Sequence, residues 1–303
     1  MLFRSGHEVD EAVLEAGSRG ALRTPLAYLR LLRRARDQVA RRRPDVIYAH
    51  YLVPTGLVAT AAGAPFVITA HGGDVANVGR IPLVATLTRR VIGRAGAVIC
   101  VSEYLAERLP AAPRRLEVID CGVDVERFRP APQAAGADQG PRYLIVGGLI
   151  ERKNHRRLLE AFARLERGTL TVAGTGPLEA ELRAAAPPRV RFVGRVAPEA
   201  MPALYHGCDV YCQPSLVEAQ GQALLEALAT ARPVVATRVG GPPEYVTEGA
   251  GVLVDPLDVD GIAAGMRRAA QLPVPCQAAR EVAERHSIAV SAARIERLLR
   301  EVS

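Results

Sequence analysis

The chain has 303 residues, of which 49% are hydrophobic and 23% charged, and its formal net charge is +7. One hydrophobic core rarely serves a chain of this length, so we expect two domains of roughly 150 residues each. The composition is that of a folded globular protein, which excludes a disordered, collagen-like or coiled-coil chain.

The first part of the chain predicts a basic helix followed by an α/β layer. The stretch 28–43 carries seven arginines around apolar positions. This pattern is typical of a solvated helix that packs on a sheet, and also of a helix on an anionic membrane surface. Nucleic-acid binding is disfavoured, because no nucleic-acid fold signature accompanies the charge. Short apolar runs predict strands at 46–49, 66–69, 97–101 and 116–119.

A second α/β layer follows a segment, 130–141, that is rich in Pro, Ala and Gly and reads as a linker. Apolar runs predict strands at 143–146, 170–173, 190–193, 210–213, 234–237 and 252–254, with helices at 155–165, 178–185, 199–205, 222–231 and 243–247. Several strands end in glycine-rich turns, so ligands should bind at the carboxyl ends of the strands. We therefore predict domains at 1–132 and 133–285, with a C-terminal helix within 286–303 that packs back on the first domain.

The five cysteines form no CxxC pair and no cluster with histidine. The sequence therefore predicts neither a disulfide framework nor a metal site, and it favours a reducing, cytoplasmic location. The uncharged stretch 51–70 is long enough for a membrane span, but proline and glycine interrupt it, so a helix followed by a strand is the better interpretation.

The chain contains 38 arginines and a single lysine, Lys153. On a surface arginine would serve equally well, whereas a compact ammonium in a phosphate pocket is not freely replaced by a planar guanidinium. Arg152 and Lys153 follow the turn Gly147-Gly148, where positive charge can meet a diphosphate. The alternative is a pair of solvated side chains near a helix start.

A second turn carries two carboxylates, Glu218 and Glu226, on either side of Gly221. Such a pair means little alone, because spacings of this kind arise by chance. Here Glu218 lies in the turn after a predicted strand, and Glu226 lies in the helix that follows. The first N–H groups of that helix can bind an anion. One turn into that helix, the Glu226 carboxylate can accept hydrogen bonds from a vicinal diol such as ribose.

Two histidines of the first domain also follow predicted strands. His50 stands at the end of one strand, and His71 precedes Gly72-Gly73-Asp74 after the next. Glycine lets a ligand approach the backbone closely, which favours His71 as the better candidate. His50 is equally compatible with a structural role.

These segments together resemble a known family. The run 214–229, with 233–237 and Gly240-Gly241 after it, is similar to the signature of retaining glycosyltransferase family 4, the glycosyl transferases group 1. Further similarity lies at His71-Gly-Gly-Asp, 122–130, Arg152-Lys153 and 174–178, so that the resemblance covers nearly the whole chain. It implies an α/β protein of the GT-B type, with two Rossmann-like domains that face each other across a cleft.

The resemblance also implies the site and its chemistry. The expected donor is a nucleotide-diphosphate sugar, and the acceptor a glycan, lipid-linked or small-molecule hydroxyl, with neither cofactor nor metal. In the family the anomeric configuration is retained, which suggests same-face displacement. The implied catalytic residues are Glu218, His71 and Lys153. The implied donor-binding residues are Arg152, Lys153, Gly194, Val196, Glu218, Gly221, Gln222, Ala223, Leu224 and Glu226. The implied acceptor-side residues are His50, His71 and Asp74.

Three departures from the family pattern stand out. Gly6-His7-Glu8-Val9 stands almost at residue 1, so one strand-turn-helix unit of the first domain is expected to be absent, or the gene start to be misassigned. Gly148 stands where the family often has arginine, and Gln220 where it has an aromatic residue. Two alternatives remain open. One is an inactive nucleotide-sugar-binding protein, and the other is a nucleotide-sugar epimerase.

Overall fold

The computed structural model describes residues 25–76, 82–131 and 140–303. The chain divides into two units. One runs up to Asp120 and includes Ala292–Ser303, and the other is Cys121–Ser291. The sequence pattern at residues 6–9, with the strand-turn-helix question attached to it, lies outside the described residues.

The first unit is a parallel sheet with helices packed against it. Its elements are α1 (Pro25–Arg42), β1 (Ile47–His50), α2 (Thr55–Ala62), β2 (Phe66–Ala70), α3 (Gly73–Ala76), α4 (Pro82–Arg94), β3 (Ala97–Cys100), α5 (Glu103–Ala106) and β4 (Leu116–Val118). The strands are ordered β1-β2-β3-β4, and every pair is parallel. All residues of β2 and β3 are buried, which explains why these strands read as unbroken apolar runs.

The second unit is a larger parallel sheet. Its elements are β5 (Arg142–Val146), α6 (His155–Ala163), β6 (Thr169–Ala173), α7 (Glu179–Ala185), β7 (Val190–Gly194), α8 (Met201–His206), β8 (Val210–Gln213), α9 (Gln222–Ala229), β9 (Val234–Thr237), β10 (Gly251–Val254), α10 (Val259–Ala269), α11 (Gln277–Arg285) and the start of α12 (Ile288–Val302). The strand order is β10-β9-β8-β5-β6-β7. The winding direction reverses between β5 and β8, and ligands of such sheets bind at the carboxyl ends of the strands beside this switch point.

Each face of the second sheet has its own apolar core. Tyr143 and Ile145 point into one core with Phe162, whereas Leu144 points into the other with Tyr205 and Tyr211. This alternation is the two-residue period of a strand. The predicted class, α/β with two Rossmann-like units, is confirmed.

The last helix packs on the first sheet. Ile295 and Leu298 of α12 are buried against Val67, Ile99 and Ile119. At the other boundary, the chain enters the second unit after Asp120 rather than after residue 132, the end of the predicted first domain. The physical reason is that Val123 and Phe128 are buried in the core of the second unit.

The helix predicted at 243–247 is wrong, because a single 3-10 turn at Pro242–Glu244 stands there. Pro242 and Pro243 have no N–H to donate, so an α-helix gains little at this position. The predicted helix and strand within 51–70 are present as α2 and β2. No helix in the described part of the chain is long and apolar enough to cross a membrane.

Candidate active site

The loop after β5 carries both predicted cations to the switch point. Arg152 and Lys153 lie in a 3-10 turn that ends at Asn154, which has a left-handed φ of +58°. The buried Asn154 amide donates to the carbonyl oxygens of Pro214 (2.8 Å) and Pro256 (2.7 Å). Asparagine tolerates this backbone better than most residues. The loop is therefore fixed where α6 begins.

The loop after β8 is tied to the first loop by main-chain contacts. The N–H of Leu216 donates to the carbonyl oxygen of Arg152 at 2.9 Å, and the Arg152 guanidinium donates to the carbonyl oxygen of Val217 at 3.2 Å. The two loops that flank the switch point thus form one hydrogen-bonded unit. Their side chains can therefore act on the same ligand.

The centre of this unit is an ion pair between Lys153 and Glu218. Lys153 Nζ lies 2.5 Å from Glu218 Oε2, and Arg152 lies 3.4 Å from Glu218 Oε1. The side chains of Lys153 and Glu218 are only 17% and 9% exposed, whereas that of Arg152 is 46% exposed. The Ser215 hydroxyl lies 3.4 Å from the same carboxylate oxygen as the lysine. An ammonium and a carboxylate are therefore held together at the mouth of the switch point.

The backbone of Glu218 is fixed by the loop after β9. Its N–H donates to Val239, and its carbonyl accepts from Gly241. Gly240 has a φ of +111°, and a Cβ there would lie 1.8 Å from the Glu218 carbonyl oxygen. Only glycine fits both the backbone conformation and this close approach. The predicted Gly240-Gly241 signature thus serves to position Glu218.

The helix that follows, α9, presents its amino end to this site. Gly221 precedes it with a φ of +95°, and within the described chain no side chain caps the helix. Free N–H groups and the helix dipole make such an end suitable for an anion. Gln222 is exposed here and donates to the carbonyl oxygen of Gly122, while Leu224 is buried in the core. Ala223, like Gln222, stands in the first turn.

Glu226 lies one turn into α9 and is half-buried. Its Oε2 accepts a hydrogen bond of 2.8 Å from the hydroxyl of Tyr205. Burial raises the pKa of the Glu226 carboxyl, and the Tyr205 hydrogen bond and the charge of Arg127 partly oppose that rise. The carboxylate therefore lies in a site where accepting further hydrogen bonds is favourable.

Gly194 is the last residue of β7, and Val196 follows this strand. Gly194 has a φ of +68°, and a Cβ there would meet no atom within 4 Å. Val196 packs against the same core as Leu224. The space beside Gly194 is open, as contact with a flat ring would require.

In the first unit the structure brings together the three predicted acceptor-side residues. His50 Nδ1 and His71 Nε2 are 3.0 Å apart, and the Tyr51 ring packs on His71. Asp74 accepts hydrogen bonds from the N–H groups of Leu52 (2.9 Å) and His71 (3.0 Å), which fixes the loop after β2. Asp74 thus has a structural role in addition to its charge.

The two imidazoles of this cluster are disfavoured as cations. Burial against Tyr48 and His71 lowers the pKa of His50 to about 4, with the second imidazole adding to the effect. Burial also lowers the pKa of His71, although Asp74 opposes this. Near neutral pH both rings are therefore neutral, and each offers one donor and one acceptor nitrogen.

The sequence alone did not point to Tyr205, Ser215 or Asn154. Ser215 and Asn154 adjoin predicted motifs, and their small polar side chains at strand ends were the available signal. Tyr205 stands 21 residues before Glu226 and has no pattern that would link the two. The unexplained Gln220 accepts a hydrogen bond from the N–H of Cys121 at 3.1 Å. The Gln220 side chain therefore fixes the start of the second unit, which begins at Cys121.

Within the ranges 25–76, 82–131 and 140–303, no three His, Cys, Asp or Glu side chains come together as metal ligands would. All five cysteines are free thiols, four of them buried.

Comparison with known proteins places the chain in a family. The family model described as glycosyl transferases group 1 matches residues 140–271, and glycosyltransferase family 4 matches residues 3–127. The chain is 33% identical to the GDP-mannose-dependent alpha-(1-6)-phosphatidylinositol monomannoside mannosyltransferase of Mycolicibacterium smegmatis, over 68% of this chain and 61% of that protein. The protein of the same description in Mycobacterium tuberculosis is 30% identical, over 76% of this chain and 68% of its own length.

The fold also matches a solved structure. Sucrose-phosphate synthase from Thermosynechococcus elongatus superimposes with a TM-score of 0.81 at 23% identity, covering 95% of this chain and 82% of that one. At this identity the likeness shows the fold, which is GT-B. The two family-model matches include every predicted site residue and leave out most of the segment 130–141. The chain therefore belongs to glycosyltransferase family 4, the glycosyl transferases group 1.

Proposed function

We propose that this protein transfers a sugar from a nucleotide-diphosphate sugar to an acceptor hydroxyl, with retention of the anomeric configuration and without a metal ion or cofactor. The observation that carries the proposal is the Lys153–Glu218 ion pair at the switch point, beside the amino end of α9. Cations, free N–H groups and a carboxylate meet there, as a diphosphate with an attached sugar requires.

In this proposal, each part of the nucleotide sugar is bound by named residues. Lys153 and Arg152 meet the diphosphate, with the backbone at Gly221 to Leu224 completing its contacts. Glu218 accepts hydrogen bonds from hydroxyls of the transferred sugar, and Glu226 accepts them from the ribose. The open space at Gly194 and Val196 takes the base.

The chemistry follows from this arrangement. The acceptor oxygen attacks the anomeric carbon on the face from which the diphosphate leaves, so one C–O bond forms as another breaks. The acceptor proton passes to an oxygen of the departing diphosphate. Lys153 and the dipole of α9 stabilise the charge that grows on that leaving group, and Glu218 orients the sugar. We assign the acceptor side to His50, His71 and Asp74.

The relatives suggest which compounds to test. The mycobacterial proteins are described as GDP-mannose-dependent and as acting on a phosphatidylinositol monomannoside. A glycan, a lipid-linked sugar or a small polyol is therefore the proposed acceptor, and we propose that the reaction takes place in the cytoplasm.

The test is a transfer assay with labelled GDP-mannose, UDP-glucose and UDP-galactose against phosphatidylinositol mannosides and inositol phosphates. We expect one donor to be consumed, the product to keep the donor's anomeric configuration by NMR, and EDTA to leave the rate unchanged. Saturable donor binding without transfer or hydrolysis would indicate an inactive binding protein. Interconversion of the donor without acceptor would indicate an epimerase, and loss of rate with EDTA would refute the metal-independent mechanism.

A variant ties this assay to the proposed donor site. Glu226→Ala removes the proposed ribose acceptor and should weaken donor binding, because the ribose hydroxyls lose a charge-assisted hydrogen bond worth about 1.5–3 kcal/mol. The expected loss is about tenfold or more in affinity by calorimetry. Exposed Glu166→Ala, outside the site, serves as the control. Unchanged affinity in Glu226→Ala would contradict the assignment.

We also propose that α1 contacts an anionic membrane surface. Leu26 and Leu29 are 56% and 61% exposed, and exposed Arg30 and Arg33 continue the same helical face. Leu31, on the opposite side, is buried. Apolar side chains flanked by arginines suit the interface of an anionic bilayer.

Vesicle flotation tests this contact. The protein should float with vesicles of phosphatidylglycerol and phosphatidylcholine at low salt, and not with phosphatidylcholine alone. Arg30→Glu with Arg33→Glu should abolish flotation, whereas Arg267→Glu with Arg268→Glu on α10 should not. No flotation of the wild-type protein at low salt would refute the contact.

A further inference from the structure

The hydrogen bond between Tyr205 and Glu226 has an unusual setting. Tyr205 lies on α8 and is fully buried, and its hydroxyl donates to Glu226 Oε2 at 2.8 Å. Glu226 is only half-buried and lies near the amino end of α9. A buried, neutral donor thus reaches from the core to one oxygen of a carboxylate that faces outward.

The Tyr205 ring cannot easily turn away from this contact. It packs edge-on against Phe128, with ring centroids 5.9 Å apart, and against Tyr211 at 5.7 Å. Its own carbonyl oxygen accepts from the guanidinium of the fully buried Arg232 at 3.1 Å. Both the ring and the backbone are held, so the position of the hydroxyl is set before any ligand arrives.

One oxygen of Glu226 remains for a ligand. A tyrosine hydroxyl has a single proton to donate, and here it goes to Oε2. In the described part of the chain, Oε1 accepts no hydrogen bond from a side chain or a main-chain N–H. The hydroxyl therefore fixes which oxygen is engaged by the protein and holds the carboxylate plane against rotation.

We infer that Tyr205 is a positioning residue for ribose recognition, in that its buried hydroxyl holds the Glu226 carboxylate ready for the ribose diol. This inference rests on the proposed function, because it takes Glu226 as the ribose acceptor. The gain is preorganisation: a carboxylate already fixed in place loses less conformational entropy when the ligand binds. The Tyr205 proton also stabilises the charged form of the carboxylate, which is the form that accepts two hydroxyl donors.

The decisive experiment compares a ribonucleotide with its analogue that lacks the ribose diol. The probes are GDP and UDP and their 2′,3′-dideoxy counterparts, measured by calorimetry on the full chain at pH 7.5. Tyr205→Phe keeps the ring and removes the hydroxyl. We expect it to weaken binding of the ribonucleotide about five- to tenfold and binding of the dideoxy analogue less than twofold.

A matched control separates this effect from loss of packing. Tyr143→Phe removes an equally buried hydroxyl from the core on the other face of the same sheet. It should lower the melting temperature by a similar amount and leave the ratio of ribonucleotide to dideoxy affinity unchanged. A second variant, Glu226→Gln, provides the background in which Tyr205→Phe should cause no further change in that ratio.

A pH series gives an independent reading. The groups that act on Glu226 are the hydroxyl of Tyr205, a neutral hydrogen-bond donor, and the positive charge of Arg127, and both lower the pKa of its carboxyl against the effect of burial. Without the hydroxyl, that pKa rises further. The ribose-dependent part of the affinity should then fall at a higher pH in Tyr205→Phe than in the wild-type protein.

The outcomes are distinguishable. If neither GDP nor UDP binds the wild-type chain, the proposed function fails and the inference fails with it. If the wild-type chain prefers the ribonucleotide and Tyr205→Phe keeps the whole preference, the function stands and the inference is overturned. The inference is also overturned if Tyr205→Phe weakens both probes equally, because the tyrosine would then act on the fold rather than on ribose.

Discussion

The deeply buried His155 makes the stability of the second unit sensitive to acid. This residue opens α6 directly after Lys153 and Asn154, is 2% exposed, and neither ring nitrogen has a hydrogen-bond partner among the described residues. Burial, with a smaller contribution from the Lys153 charge, lowers its pKa from 6.5 to about 4. A proton therefore binds the unfolded chain more strongly than the folded one.

The sign and size of the effect follow from that difference. Between pH 6.5 and 4 the unfolded state binds more protons, so the free energy of unfolding falls as the pH falls. With values of 6.5 and about 4, the loss between pH 7 and pH 5 is about 2 kcal/mol, and it approaches about 3 kcal/mol below pH 4. The chain has no tryptophan, so unfolding in urea is followed by circular dichroism.

The comparison variant is His155→Leu, which cannot titrate. Its free energy of unfolding should fall by about 2 kcal/mol less than that of the wild-type chain between pH 7 and pH 5. An equal loss in His155→Leu and the wild-type chain would refute the reasoning.

Three further predictions concern the loops around Glu218. Lys153→Ala should lower kcat about 100-fold in the transfer assay, because the leaving diphosphate loses the more enclosed of its two proposed cations. Arg152 is half-exposed, so Arg152→Ala should lower kcat less. Wild-type kinetics in Lys153→Ala would exclude the proposed role of this lysine. Gly240→Ala should lower the free energy of unfolding by about 3 kcal/mol or more, since its Cβ would strike the Glu218 carbonyl oxygen; Gly194→Ala, with open space around it, should cost about 1 kcal/mol. Glu218→Gln should tighten binding of GDP or UDP several-fold by calorimetry while transfer is lost, and weaker binding would contradict the ion-pair argument developed below.

The sequence predicted the parallel sheet for a physical reason. The strands of a parallel sheet are buried on both faces, so they appear as apolar runs that end at glycine-rich turns. Lys153, Glu218 and Glu226 all follow such runs. The sequence therefore indicated that they lie at the same edge of the second sheet, where its strands end. The helix predicted at 243–247 is wrong because Pro242 and Pro243 have no N–H to donate, and only a 3-10 turn forms there.

Contacts between distant segments could not be predicted in the same way. No periodicity links Tyr205 to Glu226, or Gly240 to the Glu218 carbonyl oxygen, because these contacts depend on how loops cross over the sheet. The ion pair between Lys153 and Glu218 is likewise a contact between two loops that are distant in the sequence. The sequence predicted positive charge from Lys153 beside a diphosphate, and the family resemblance implied a sugar beside Glu218. Neither indicated that the two side chains contact each other.

That meeting changes how the two residues should behave. With no ligand bound, Lys153 is neutralised by Glu218 at 2.5 Å, in surroundings that exclude most of the water. In the proposed donor complex, the diphosphate takes the ammonium from the carboxylate, and hydroxyls of the attached sugar donate hydrogen bonds to the carboxylate in its place. A nucleoside diphosphate without sugar would break the ion pair and leave the Glu218 carboxylate without a hydrogen-bond donor. The complete donor would supply phosphate oxygens to Lys153 and sugar hydroxyls to Glu218. We therefore expect the ion pair to favour the proposed donor over the product nucleotide. Removing the Glu218 charge should strengthen binding of the product while it removes the proposed contact that orients the sugar.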